Sequence, residues 1–241
     1  MEIDKHYTNQ RLARLYDIEN GWGADRDFYF GLAGLHPMRI LDLGCGTGAL
    51  CNAYAAIGHS VTGVDPAQAM LNVAQQPKIS KQVTWVQSVA QDFGGSGLFD
   101  LIVMTGHAFQ VLQTDADIAA TLATAKAHLA QNGRFVFETR NPAADWANRW
   151  HQSSFALMQN GQIISVSRRV MEQSDQFIRF STDYRFDDTT LTSDSRLRFL
   201  APDQIIERLQ QAGLHCEQVF GDWDCSPFNP ASSDEMIFVA Q

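Results

Sequence analysis

The sequence predicts an α/β chain: a doubly wound, seven-stranded, mostly parallel sheet that carries an antiparallel β insertion. Three observations point there. Between Met38 and Glu138, short apolar runs alternate with helical patterns, the rhythm of strand–helix–strand units in a sheet buried on both faces. Between Phe155 and Phe199 that rhythm gives way to long period-two runs, the pattern of antiparallel strands. After Pro202 one more helix and two short apolar runs close the chain. The 241 residues, 45% of them hydrophobic, suffice for one such domain with a subdomain. The expected divisions are an N-terminal helical segment, 1–37; a core of 38–150 and 201–241; and the insertion, 151–200.

Taken in order, Asp4 to Ile18 reads as an amphipathic helix capped by Asp4, with Tyr7, Arg11, Leu15 and Ile18 near one face. Asn20-Gly21-Trp22-Gly23 breaks it, and a second helix runs from Ala24 to Leu35, ended by Pro37. Met38 to Leu43 is the first strand. Gly44, Gly46 and Gly48 follow at alternate positions, before a helix that lasts to Ile57. Glycines between a strand and a helix N-terminus allow positive φ and let a ligand approach the backbone closely. Asp42, at the strand's end, is placed to accept from turn amides or from a ligand ammonium. Val61 to Val64 is the second strand, and Asp65 stands at its carboxyl end. An acidic residue about 20 residues beyond such glycines is positioned for the ribose hydroxyls of a nucleoside. Pro66 opens a helix to Ala74, and Val83 to Val86 is the third strand. Phe99 to Met104 is the fourth, followed by Thr105 and His107; Asp115 to Leu129 is a helix and Gly133 a turn. Arg134 to Glu138 is the fifth strand, with Glu138, Arg140 and Asn141 at the same carboxyl edge, where open parallel sheets bind ligands.

Within the insertion, Ile163 to Glu172, Gln176 to Phe186 and Thr190 to Leu200 read as antiparallel strands. Phe180, Thr182, Tyr184 and Phe186 share one face of the middle strand, with Arg179, Asp183 and Arg185 on the other. Pro202 to Gln211 returns to helix and Gly213 caps it. Leu214 to Phe220 and Met236 to Val239 are the closing strands, the latter expected as an antiparallel edge. Asp222 to Phe228, including Trp223, loops between them near the ligand side.

The net charge of −9 disfavours phosphate backbones and anionic lipid surfaces, so neither nucleic acid nor membrane is an expected partner. Cys45, Cys51, Cys216 and Cys225 lack metal-ligand spacing and read as free thiols in a reducing, cytoplasmic setting; no metal is expected. Met1-Glu2-Ile3-Asp4 starts acidic with no apolar run behind it, so a secretory leader is not expected.

"ILDLGCGTG" followed by "VTGVDPAQAM" resembles the class I S-adenosylmethionine-dependent methyltransferases, most strongly from Met38 to Asn141, and "FD.I" at Phe99 agrees. The resemblance implies a Rossmann-like methyltransferase fold, S-adenosyl-L-methionine as cofactor and a small-molecule acceptor methylated at oxygen or nitrogen. It implies cofactor contacts from Asp42, Gly44, Cys45, Gly46, Gly48, Asp65 and Pro66, with Met70 near the adenine. Many relatives read "GDA.D" after the third strand; Val89 stands here at the first aspartate, and valine cannot accept from the adenine amino group. Ala90 offers a backbone amide instead, with Gln91 or Asp92 as acceptors, and Thr105 adds a contact at the fourth strand. The N-terminal helices become a lid over the cleft. Tyr16, Trp22, His107, Arg140, Asn141 and Trp223 are the substrate candidates. His107 is the first candidate base and Glu138 the second, although in-line methyl transfer needs a base only when the acceptor must lose a proton. The insertion is a substrate lid or, as second choice, a dimer contact, so the chain is expected as monomer or homodimer. Two rival readings are a nicotinamide-dependent oxidoreductase, which would need G-x-G-x-x-G spacing rather than G-x-G-x-G, and a catalytically silent S-adenosylmethionine-binding protein.

Overall fold

The computed structural model describes residues 3–241. The acidic start at Met1 and Glu2 lies outside the described residues. Ahead of the first strand come helices α1 (Lys5–Thr8), α2 (Gln10–Ala13), α3 (Tyr16–Glu19) and α4 (Ala24–Leu32). The single helix expected from Asp4 to Ile18 is thus broken. Asn9 leaves the helical region (φ −82°, ψ 121°), and its side chain accepts from the Arg11 and Leu12 amides at 2.9 and 3.3 Å. Asparagine competes for backbone donors in this way, which caps a new helix at the cost of continuing the old one. Leu12 and Leu15 are buried against the second sheet, and that packing directs the broken path.

The core then runs β1 (Arg39–Leu43), α5 (Ala49–Ala56), β2 (Ser60–Asp65), α6 (Gln68–Ala74), β3 (Val83–Gln87), β4 (Phe99–Met104), α7 (Asp115–His128) and β5 (Leu129–Arg140). The turn expected at Gly133 is an irregularity inside β5. Asn132 has φ 64°, and the pairing with β4 jumps from Leu129 opposite Phe99 to Arg134 opposite Leu101. The insertion follows as α8 (Trp146–Trp150), β6 (Ser153–Gln159), β7 (Gln162–Gln173), β8 (Phe177–Arg185) and β9 (Thr190–Arg198). The chain closes with α9 (Pro202–Gln211), β10 (Cys216–Phe220) and β11 (Glu235–Ala240).

The main sheet has seven strands in the order β10-β11-β5-β4-β1-β2-β3, with β11 antiparallel to both neighbours. β1, the first strand read from the sequence, is interior, between β4 and β2. The placing of Met236 to Val239 at the edge is corrected: β11 is interior and β10 is the edge. Burial explains it. Met236 and Phe238 pack on one face of the sheet and Ile237 and Val239 on the other, whereas Glu217 and Gln218 of β10 are exposed.

Strict alternation splits the core in two. Leu41, Leu43, Ile102, Met104, Phe135 and Phe137 face α7 and α9. Ile40, Leu101, Val103 and Val136 face α4 and α5. A separate antiparallel sheet has the order β6-β7-β8-β9. Its inner face carries cross-strand rows: Val166–Tyr184–Leu191, Arg168–Thr182–Ser193 and Val170–Phe180–Ser195. One end of this face packs on Leu12 and Leu15, the other on Trp146 and Trp150 of α8. The second sheet is thereby set beside the N-terminal helices and the carboxyl ends of the main strands.

Candidate active site

The turn after β1 brings three glycines into the left-handed region: Gly44 (φ +80°), Gly46 (φ +53°) and Gly48 (φ +69°). Their surroundings differ. A Cβ on Gly46 would meet nothing within 4 Å, while one on Gly48 would sit 2.4 Å from the Trp85 ring and 2.8 Å from Ala74. Gly46 therefore keeps space open and Gly48 lets α5 pack on β3. At the end of β2, Asp65 accepts the Gly46 amide at 2.9 Å and the Ala67 amide at 2.8 Å, which ties the turns after β1 and β2 together. Burial pushes its carboxyl up to about 6, against the pull of those two amides. Asp42 is different. Its Oδ2 accepts only the Cys51 thiol, at 3.4 Å, and its buried Oδ1 has no partner among the described residues. Burial pushes it up to about 7. An orphaned carboxylate oxygen facing a cavity is a site for a cationic ligand group.

Two cavities meet here. An apolar one of about 100 Å³ is lined by Met70, Val89, Ala90, Met104 and Leu112, together with Asp65, Pro66 and Gln91. A polar one of about 270 Å³ reaches from Asp42 and Cys45 past His107, Glu138 and Arg140 to the inner face of the second sheet. Tyr7, Tyr16, Gly44, Gly46, Thr105 and Gly106 line both. The N-terminal helices are fastened over the junction: Thr47 donates to Asp17 at 2.7 Å, and Asp17 also accepts from Arg26 at 3.2 Å.

In the polar cavity His107 adopts φ 58° just past β4. Its amide donates to Glu138 Oε1 at 2.7 Å, the Tyr29 hydroxyl donates to Glu138 Oε2, and its Nε2 meets Glu235 Oε2 at 2.8 Å. Burial, with Arg140 nearby, pushes the imidazole down to about 3, so it is neutral at physiological pH; burial pushes Glu235 up to about 7 and Glu138 also upward. Although His107 and Glu235 are within ion-pair distance, the contact is better described as one proton held between a neutral imidazole and a reluctant carboxyl.

A methyltransferase-domain family model matches residues 16–219. The chain belongs to that family. A cypemycin N-terminal methyltransferase from a Streptomyces species is 26% identical to this methyltransferase, covering 84% of this chain and 82% of its own. A ubiquinone biosynthesis O-methyltransferase from Aromatoleum aromaticum is 25% identical, covering 78% and 69%. A solved S-adenosylmethionine-dependent methyltransferase from Clostridium acetobutylicum superposes with a TM-score of 0.79 at 16% identity, over 96% of this chain and 97% of that one. The class I fold implied by the sequence is the fold observed.

In this methyltransferase the two cavities collect Asp42, Gly44, Cys45, Gly46, Asp65, Pro66, Met70, Ala90, Gln91, Thr105, Tyr16, His107, Glu138, Arg140 and Trp223. Four expected residues line neither cavity. Gly48 is taken up by Trp85. Asp92 closes a short 3-10 turn, and the Gln91 side chain beside it reaches Asp117 at 3.4 Å. Asn141 is buried and donates to the Pro230 and Ser233 carbonyls at 3.0 and 2.7 Å, pinning the loop before β11. Trp22 is about half exposed and donates to Asp27 at 2.7 Å. Residues not foreseen include Tyr7, Trp150, Arg168 and Glu235. Two had a readable signal. Arg168 interrupts the apolar register Ile164, Val166, Val170 of β7, and Glu235 precedes the apolar run of β11 that ends the chain. Among the described residues no group of histidine, cysteine and acidic side chains is arranged to hold a metal ion, and no helix is long and apolar enough to cross a membrane.

Proposed function

We propose that this methyltransferase moves the methyl group of S-adenosylmethionine to an oxygen or nitrogen of a small molecule. One observation carries the reading: an apolar and a polar cavity join at a glycine turn where a buried carboxylate oxygen of Asp42 has no partner. When bound, the cofactor supplies the methyl group on a sulfur that departs with the bonding electrons. The chain's part is to bind and align. Asp42 takes the ammonium group, the open space beside Gly46 accommodates the methionine part, and Asp65 takes the ribose hydroxyls with the lone pairs left free by Gly46 and Ala67. Met70, Val89 and Ala90 enclose the adenine. Holding two reactants in line can supply several kcal/mol by itself.

His107 is the residue best placed to take a proton from the acceptor. Its neutral ring accepts at Nδ1 while the Nε2 proton moves to Glu235, whose raised proton affinity suits neutral pH. Glu138 accepts the His107 amide and the Tyr29 hydroxyl and so serves as a positioning residue for His107. The N-terminal helices and the second sheet act as lids, over the cofactor and the acceptor respectively. A cytoplasmic setting belongs to the same reading, because all four cysteines are free thiols.

The relatives' names give precedents for nitrogen and for oxygen acceptors. Incubation with methyl-labelled S-adenosylmethionine and a metabolite extract, followed by mass spectrometry, should yield a labelled small molecule. Tight binding of NAD with none of S-adenosylmethionine would select the oxidoreductase reading. Cofactor binding without transfer to any acceptor would select the silent binding protein.

A further inference from the structure

The far wall of the polar cavity contains two guanidinium groups around one aromatic ring. Arg140 Cζ lies 5.0 Å and Arg168 Cζ 6.0 Å from the Trp150 ring centroid, and Arg168 is also 5.0 Å from the Phe180 ring. The two differ in how far they are compensated. Among the described residues Arg140 forms no ion pair, and its one side-chain hydrogen bond goes to the neutral Gln110 amide at 2.9 Å. The nearest carboxylates are committed elsewhere: Glu138 to Tyr29 and the His107 amide, Glu235 to the His107 ring. Arg168 has Glu19 at 3.5 Å, but that carboxyl also accepts the Tyr184 hydroxyl at 2.9 Å. Burial pushes the Arg140 guanidinium down from its ordinary value; the Glu235 and Glu138 charges oppose that shift and the Arg168 charge adds to it. A desolvated cation without a partner is costly, and guanidinium forks match planar oxyanions.

We infer that the methyl acceptor is a molecule with a flat apolar body and an oxyanion, the body lying on Trp150 and Phe180 and the oxyanion bridging Arg140 and Arg168. This rests on the methyltransferase reading above and names the acceptor class for that same site. The hydroxyls of Thr182, Ser193 and Ser195 line the same cavity; Thr182 accepts from Arg168 at 3.4 Å and Ser193 from the His6 amide at 2.8 Å, and each keeps its own proton to donate to further polar groups on the acceptor. The rival class is an amine, which would seek Glu19, beside Arg168, or Asp25, which also lines the cavity.

The test is calorimetry with four probes of similar size: 4-hydroxybenzoate, phenyl phosphate, 4-hydroxybenzamide and tyramine. Each is titrated into the full chain with and without S-adenosylhomocysteine. At least one oxyanion should bind about tenfold or more tightly than the amide and the amine, on the magnitude of charge-assisted hydrogen bonds. Arg140→Met and Arg168→Met should each bring that preference below about threefold, with S-adenosylhomocysteine affinity unchanged as the measure that the fold survives, and Arg140→Lys should keep part of it. Equal binding of the amide or amine, an undiminished preference in both methionine variants, or no oxyanion binding by the folded protein would overturn the inference. Loss of S-adenosylhomocysteine binding with the oxyanion preference intact would instead count against the methyltransferase reading and leave the anion site standing.

Discussion

The two cavities are built in different ways. The apolar one takes its walls mainly from short stretches just past strand ends: Gly44 and Gly46 after β1, Pro66 and Met70 after β2, Val89 to Gln91 after β3, Thr105 and Gly106 after β4. The polar one shares Tyr7 and Tyr16 of the N-terminal helices with it and adds further side chains from α1, α3 and α4, from α8, the end of β5, β7 to β9 and the loop at Trp223. The first is held by backbone conformation and local hydrogen bonds such as those to Asp65. The second exists only once distant segments have docked. Changes in the β1–β2 turns should therefore affect cofactor affinity and global stability, and changes in the second sheet should affect the acceptor and leave the cofactor alone.

The largest expected effect lies inside the glycine turn. Gly48→Ala forces a methyl group into the Trp85 ring at positive φ, and should lower stability by about 2–4 kcal/mol. Gly46→Ala has the same unfavourable φ but open space around it, and should cost about 1 kcal/mol. It should instead hinder cofactor binding, because Gly46 lines both cavities. Denaturant unfolding and calorimetry on both variants separate the two roles. Equal stability losses would show that Gly46 is also a packing glycine.

Next comes Asp65. Asp65→Ala removes two backbone tethers and the proposed ribose acceptor, and charge-assisted hydrogen bonds of this kind are worth about 1.5–3 kcal/mol. Cofactor affinity should fall roughly tenfold or more. Ser193→Ala, on the second sheet, should leave that affinity within about twofold. A comparable loss in both would dissolve the distinction between the cavities.

This division also explains what could be read from the sequence. The β1 turn, Asp65 and the strand–helix alternation are legible because each is local: glycine spacing, an acidic residue at a strand end, a period. The interior position of β11 was missed because an antiparallel return can pair on either side of its neighbour, and only the burial of both faces decides. The break at Asn9 was missed because one capping side chain outweighed a helical pattern that continues through it. Trp22 and Asn141 read as cleft residues from their positions, yet one turns to Asp27 and the other to the Pro230 loop. Arg168 and Glu235 mark themselves locally only as charges beside apolar runs; what brings them to the site's surroundings is long-range pairing, opposite Thr182 and Arg140 respectively.

A smaller effect distinguishes the cavities by pH. Burial raises Asp42 to about 7, far above an unfolded aspartate. Its folded state therefore holds a proton that the unfolded state has lost, and the stability this contributes is present at low pH and disappears as pH rises through about 7. Glu235, also raised to about 7, adds to the same trend from the other side. Cofactor binding should run the opposite way. An ammonium ligand needs the Asp42 carboxylate, so affinity should weaken below pH 7 by up to about tenfold per unit. Asp42→Asn should lower affinity and flatten its pH dependence while leaving the Glu235 share of the stability trend. A wild-type affinity that is flat from pH 6 to 8 would remove Asp42 from the ammonium site.

The smallest expected effect is Tyr184→Phe. The Tyr184 hydroxyl joins His6 Nδ1 at 2.8 Å to Glu19 Oε2 at 2.9 Å, so it couples α1 and α3 to the second sheet. Burial and the Arg168 charge push His6 down to about 4, so the ring is neutral and donates from Nδ1 to the tyrosine oxygen, whose own proton goes to Glu19. Removing the hydroxyl leaves the His6 donor and one Glu19 oxygen without partners, at about 1 kcal/mol. It also removes a bond that holds the Glu19 carboxyl down, so Glu19 becomes a poorer counter-ion for Arg168. Arg168 should then bind an added oxyanion at least as well as before, while cofactor affinity stays within about twofold. Unfolding curves and the same calorimetric titrations test both statements. A fall in cofactor affinity as large as the fall in stability would mean that the second sheet supports both cavities, and that the polar wall is not an independent module.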